Sequence, residues 1–126
     1  MFELTINSTV YQFAFNMGFM REINKKVGRP VDGLPDLRQN MGLQYYVAGV
    51  IDGDLESLVE ILDIANKGQK PRVTKDLLDS LIDDENTDVE ELFASVLDFL
   101  KSANATKKTT MGLLNELEKA RAAANA

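Results

Sequence analysis

The chain has 126 residues, 44% of them apolar and 27% charged, which is enough for one ordinary domain with a buried core. It contains neither Cys nor His, which removes disulfides, thiolate metal sites, the commonest general base and the commonest zinc ligand. The net charge of −6 is unevenly spread: residues 1–51 carry five basic and four acidic side chains, residues 52–100 four and fourteen, residues 101–126 five and two.

An acidic middle repels phosphate backbones, so nucleic acid is not an expected partner. The longest nearly pure apolar run, residues 45–51, is far short of the roughly 20 residues a membrane span needs. The N-terminus lacks the basic-then-apolar pattern of a signal peptide, so the expectation is a soluble cytoplasmic protein.

Along the chain, Phe2, Leu4 and Ile6 alternate with polar Glu3 and Thr5, and Tyr11, Phe13 and Phe15 follow with the same period of two. A two-residue turn at Asn7-Ser8 pairs Ile6 with Thr9, Leu4 with Tyr11 and Phe2 with Phe13, placing the bulky side chains on one face. Asn7 suits the turn because it tolerates positive φ. Such a hairpin is marginal alone and must pack on helices.

Asn16 caps an expected helix over residues 16–27 that carries Phe19, Met20 and Ile23. Two Gly and two Pro make residues 28–35 a loop. Asp36 opens a second helix to Ile51, apolar nearly all round in its later half, with Tyr45 and Tyr46 in the core; a strand through Tyr-Tyr-Val is the alternative. Asp54 caps a third helix carrying Leu55, Leu58, Val59, Leu62 and Ala65, closed by Gly68 and Pro71. Thr74 caps a helix with Leu77, Leu78, Leu81 and Ile82. Thr87 with Glu90 forms a capping box before Val89, Leu92, Phe93, Val96 and Leu100. Residues 102–110 turn polar, and a weaker amphipathic pattern resumes at Met111, Leu114, Leu117 and Arg121. The expected fold is mostly α (α+β): an N-terminal β-hairpin on a bundle of five to six helices. Residues 1–103 form one globular domain, and residues 104–126 a connector with a C-terminal amphipathic helix and tail.

Chemical motifs fare poorly. Gly28 and Gly33 have phosphate-loop spacing, but Leu34-Pro35 stands where Lys and a hydroxyl belong, and prolines remove cradling amides. Asp84, Asn86 and Asp88 open like a calcium loop, yet Val89 and Ser95 occupy the Gly and Glu positions, so these acids read as structural. Carboxylate pairs such as Asp52/Asp54 and Glu90/Glu91 read as solvated helix faces. No catalytic residue, metal site, cofactor or small-molecule substrate is expected. Arg21, Lys25, Lys26 and Arg29 can share one side of the first helix, which keeps a helical DNA-binding regulator as an alternative. A small helical adaptor or structural assembly protein is another. Met111, Leu113, Leu114 and Leu117 are the candidate partner-binding residues. They form an amphipathic stretch of opposite charge to the acidic middle, able either to dock on its own body or to capture a partner.

The opening FELTINSTVYQFAF (residues 2–15), the following GFMREINKK (residues 18–26) and the connector TKK (residues 106–108) stand in a definite order. A Gly-rich loop, an apolar helix and an acidic helical half lie between them. In that order the chain resembles the tail assembly chaperones of long-tailed bacteriophages infecting Gram-positive hosts, over about its first 110 residues. The resemblance implies a non-enzymatic protein that coats the aggregation-prone tape measure protein and recruits tail tube subunits in the host cytoplasm. It also implies absence from the mature virion and possible homo-oligomers. In many such phages a frameshift yields a longer form, and the resemblance implies that this chain corresponds to the short one.

Overall fold

The computed structural model describes residues 1–125, the side chain of Pro35 excepted; Ala126, in the expected tail, lies outside the described residues. Strands β1 (Phe2–Ile6) and β2 (Thr9–Phe13) form the N-terminal hairpin, with Phe2 opposite Phe13, Leu4 opposite Tyr11 and Ile6 opposite Thr9, as the alternation requires. Asn7 and Ser8 both take positive φ, 51° and 66°, the primed turn that matches strand twist. Phe2, Ile6, Tyr11 and Phe13 are buried, so this face is the sheet's share of the core.

Helix α1 (Met17–Asn24) is capped by the Asn16 side chain, which accepts the Phe19 amide at 3.0 Å. Phe19 and Ile23 are buried, but the helix stops at Asn24 rather than continuing to Val27. The chain then forms a second antiparallel hairpin, β3 (Gly28–Val31) and β4 (Leu34–Asn40), where the sequence reading placed a loop followed by a helix from Asp36. The local reason is Asp32-Gly33: Gly33 sits at φ 78°, and Asp-Gly between short runs is a strong two-residue hairpin signal. The prolines are tolerated because both strands are edges.

The second helix is therefore shorter than expected. Helix α2 (Gly42–Ile51) starts without a side-chain cap and runs through the centre of the bundle, packing on α1 and on the three helices α3, α5 and α6 described next. Its Tyr-Tyr-Val run is helical. Tyr46 packs against the core, but Tyr45 is exposed, which corrects its expected burial. Gly42 and Gly49 let neighbours approach closely: a Cβ on Gly42 would strike the Ile23 carbonyl, and one on Gly49 would strike the Ser57 side chain.

Helix α3 (Leu55–Ala65) is capped by Asp54, which accepts the Ser57 amide and hydroxyl at 3.2 and 2.6 Å. Leu58, Val59, Leu62 and Ala65 are buried as the periodicity predicts, whereas Leu55, in the first turn, stays exposed. Thr74 caps α4 (Lys75–Asp83), where Leu78 is the buried residue. Helix α5 (Val89–Ser102) buries Leu92, Val96 and Leu100. Its cap is Asp88, accepting the Glu91 amide at 3.0 Å, one residue after the expected Thr87; Asp is the stronger N-cap. Helix α6 (Lys107–Ala124) completes the bundle against α2 and α5.

Two polar links fasten the layers. Buried Asn66, just after α3, donates to the Gln12 carbonyl at 2.9 Å and the Pro71 carbonyl at 3.3 Å. It accepts from the Val73 amide at 2.6 Å and the Arg72 guanidinium at 3.0 Å. Glu60 on α3 pairs with Lys75 on α4 and with Lys26 at 3.2 Å. An aromatic cluster closes the far side: Phe2 lies 5.1 Å from Phe99 and Phe15 lies 5.2 Å from Phe19, centroid to centroid. Among the described residues, no helix is long and apolar enough to cross a membrane.

Candidate functional site

Helix α6 carries the candidate residues, and its first turns make a poor helix by themselves. Its start has no side-chain cap, Lys107 and Lys108 stand at the positive end of the dipole, and Gly112 interrupts the middle. Tertiary anchors compensate. Thr106 and Thr110 are buried, and their hydroxyls donate to the Leu100 carbonyl at 2.7 Å and the Thr106 carbonyl at 2.9 Å. This satisfies both buried hydroxyls, which unpaired would cost about 1–3 kcal/mol each. The polar stretch of residues 102–110 thus hides the two threonines that hold the helix. Their burial is not legible in composition alone.

At 3.6 residues per turn, Leu113 and Leu117 continue the stripe of Thr106 and Thr110, Leu114 lies at its edge, and Met111 lies about 130° round the helix. Leu113 packs against the core; Leu114 and Leu117 are half-buried; Met111 is 41% exposed. From Glu118 to Asn125 every residue is exposed, so the distal part of α6 stands off the body. A cleft of about 430 Å³ opens beside it, lined by Gln44 of α2 and by Lys108, Thr109, Gly112, Leu113 and Glu116. A weakly capped helix anchored at one end has low local stability, and such segments adapt most readily to a partner.

The remaining candidates have structural occupations. Asp88 caps α5, and the Asp84 side chain accepts the Asn86 amide at 2.9 Å. Among the described residues, no group of three or more acids gathers as a metal site would require. Arg21, Lys25, Lys26 and Arg29 do not share a helix face: α1 ends before Lys25, Lys26 pairs with Glu60, and Arg29 lies in β3. A recognition helix has no place there. Glu60 and Lys75 have displaced titrations. Burial pushes the Glu60 carboxyl up, but the ammonium groups of Lys75 and Lys26 outweigh it and hold it below its ordinary range. The hydrogen bond to Glu60 raises Lys75. Both shifts belong to an ion pair between helices.

Sequence reading missed two apolar surfaces. The β3–β4 hairpin exposes Leu34 and Leu37, for which Asp32-Gly33 was the available signal. A cleft between β1, α4 and α5 has no local sequence signal, because its walls are distant in the chain.

A family model described as phage tail assembly chaperone protein, TAC, matches residues 3–115. The chain belongs to that family. The match spans both hairpins, the bundle and the docked part of α6, and ends close to where α6 leaves the body. No curated protein and no solved structure gives a significant match. A tail assembly chaperone works through surfaces and catalyses no reaction, so the chemistry of this chaperone is that of binding tail proteins.

Proposed function

We propose that this chaperone binds the tape measure protein and the tail tube subunits during tail morphogenesis, in the cytoplasm of a Gram-positive host, and is left out of the finished virion. The contact is made by α6 through the candidate residues Met111, Leu113, Leu114 and Leu117, of which Leu113 also packs on the body and Met111, Leu114 and Leu117 are open to a partner on different sides of the helix. The observation that supports this most directly is the standing-off of α6. Leu114 and Leu117 lie half-open beside an exposed Met111, on a helix whose residues from Glu118 to Asn125 are exposed. A tape measure protein is long and helical, and an amphipathic helix meets another helix or a groove through residues spaced three and four apart. Methionine adds a flexible, polarizable contact suited to a varied surface. The strongly acidic middle keeps the loaded complex dispersed.

Co-expression with the tape measure protein tests the proposal. The tape measure protein is expected to become soluble with the wild-type chaperone. The double substitution Leu114→Lys, Leu117→Lys is expected to weaken capture at least tenfold while the body stays folded, because truncation or charging of an interface anchor costs over about 1.4 kcal/mol. A tape measure protein equally insoluble with and without the wild-type chain overturns the proposal.

A further inference from the structure

The first hairpin has two edges, and the body covers one of them. Across a two-residue turn the flanking residues Ile6 and Thr9 exchange hydrogen bonds. Bonded pairs then alternate with pairs whose amides and carbonyls point outward. In this register Leu4–Tyr11 and Phe2–Phe13 are bonded pairs, so Glu3 and Thr5 on β1 and Gln12 on β2 turn their backbone groups away from the hairpin. The β2 side bears this out. The outward Gln12 carbonyl accepts from the Asn66 side chain at 2.9 Å, and the Ala14 amide, next in the same phase, donates to the Ala65 carbonyl at 2.8 Å. The end of α3 thus occupies the β2 edge. The β1 edge is open: among the described residues no strand pairs with it, and no backbone group from outside the hairpin bonds to Glu3 or Thr5. Both residues are exposed.

Beside this open edge, β1, α4 and α5 enclose a cleft of about 310 Å³. Phe2 and Leu4 belong to the inner face of β1 and Glu3 to the outer one, so a cleft lined by all three lies along the edge. Its floor is apolar, made by Phe2, Leu4, Leu81 and Leu92. Its rim carries Glu3, Asp88 and Glu91, all exposed, with no base among the lining residues. Asp88 accepts the Glu91 amide at 3.0 Å and Glu91 the Ser95 hydroxyl at 3.3 Å, each through one oxygen. Among the described residues none of the three acids is in an ion pair. The volume takes a few side chains and is too small for a whole helix, whose single turn already fills a cylinder about 10 Å across.

We infer that this edge receives an extended segment of another protein, a short strand in which basic and apolar residues alternate. An added strand lies about 4.8 Å from β1 and bonds to the outward amides and carbonyls of Glu3 and Thr5. Cross-strand neighbours share a face. The incoming residue opposite Leu4 therefore enters the apolar floor, and the residue opposite Glu3 comes out on the acidic side, where Lys or Arg meets a carboxylate. The period of two in the partner follows from the period of two in β1. An acidic or wholly apolar strand lacks the countercharge for the rim, and a helix has no free backbone groups to offer the edge. The surface does not include α6 and stands apart from the proposed tape measure contact.

Titration of the full chain with a labelled synthetic peptide that alternates lysine with leucine and valine tests it, read by fluorescence anisotropy and by amide hydrogen exchange. Saturable binding is expected, weaker at high salt because the rim acids are screened. The Glu3 and Thr5 amides are expected to exchange at least about tenfold more slowly in the complex. A shuffled peptide of the same composition, its lysines adjacent, is expected to bind at least about tenfold more weakly. Methylating the backbone nitrogens of the lysines in one peptide and of the apolar residues in another is expected to weaken only one of the two, since one phase of a strand faces its neighbour. Glu3→Lys with Glu91→Lys is expected to weaken binding at least about tenfold, whereas Leu114→Lys with Leu117→Lys leaves it unchanged, so this reading and the tape measure contact fail separately. Circular dichroism checks that the variants are folded; the peptide series needs only the wild type and decides the matter should the charge variant unfold. Absence of binding, equal binding of the shuffled peptide, or binding that leaves the Glu3 and Thr5 amides unprotected overturns the proposal. So does protection of those amides that grows with protein concentration in the absence of peptide, which would place a second copy on the edge.

Discussion

Asn66 is enclosed completely, and its side chain spends all its hydrogen-bonding capacity on four neighbours from β2 and from the loop of residues 67–73. Replacing it with Leu keeps the branched skeleton but strands the Val73 amide and the Gln12 carbonyl. A loss of about 3 kcal/mol is expected, read as a lower urea midpoint at unchanged slope. Gly42 inverts a familiar rule. Alanine improves an exposed helix by up to about 1 kcal/mol over glycine, but here the added methyl meets the Ile23 carbonyl, which is backbone and cannot swing aside. Gly42→Ala is expected to destabilise by about 2 kcal/mol or more in the same measurement.

At the level of elements, the helices divide by what holds them. Helices α1, α3, α4 and α5 each begin with a side chain accepting an amide, from Asn16, Asp54, Thr74 and Asp88. Removing such an acceptor costs about 1 kcal/mol. Asp88→Ala should therefore lose about that much, while Thr87→Ala, one residue earlier, should change stability by less than about 0.5 kcal/mol; thermal melts of the two variants decide which residue is the cap. Helix α6 begins without such a cap, and α2 has none from its own N-cap residue Met41, its Leu43 amide being accepted instead by the Asn24 side chain at 3.3 Å; both depend on packing. For α2 the packing is central and extensive. For α6 the burial ends near Leu117, and the residues from Glu118 to Asn125 are exposed.

Across the whole molecule, Glu60 joins three segments: Lys26 after α1, its own helix α3, and Lys75 on α4. Its folded carboxyl titrates below the ordinary range of a glutamate, so its contribution is complete above that range and is lost as acid protonates it. Lys75 titrates above 10.5 when folded, so its share is complete below that pH and is lost as alkali removes the proton. The pair therefore contributes throughout the neutral range. Glu60→Gln should cost about 1 kcal/mol at pH 7, a modest figure because both ammonium groups are partly solvated, and the gap to wild type should narrow as pH falls below the ordinary glutamate range. Urea titrations of both proteins at several pH values measure that gap. Acid stability that falls in parallel for the two proteins would show that the bridge adds nothing.

Local chemistry was legible wherever a few adjacent residues decide the outcome. The first hairpin and its register follow from strict alternation around Asn7-Ser8, and the caps at Asn16, Asp54 and Thr74 from side chains that can reach an amide three residues on. The absence of Cys and His, and the order of motifs from FELTINSTVYQFAF to TKK, pointed to a binding protein of the tail assembly family before any fold was known. The β3–β4 hairpin was misread because two prolines outweighed Asp32-Gly33 in a segment with little hydrophobic period to arbitrate. Other features had no local signal at all. The burial of Thr106 and Thr110, the exposure of Tyr45 and Leu55, and the acid-rimmed cleft each depend on which distant helix lies alongside. Burial is a property of neighbours in space, so only the tertiary structure decided which apolar side chains this protein keeps for its core and which it leaves open to others.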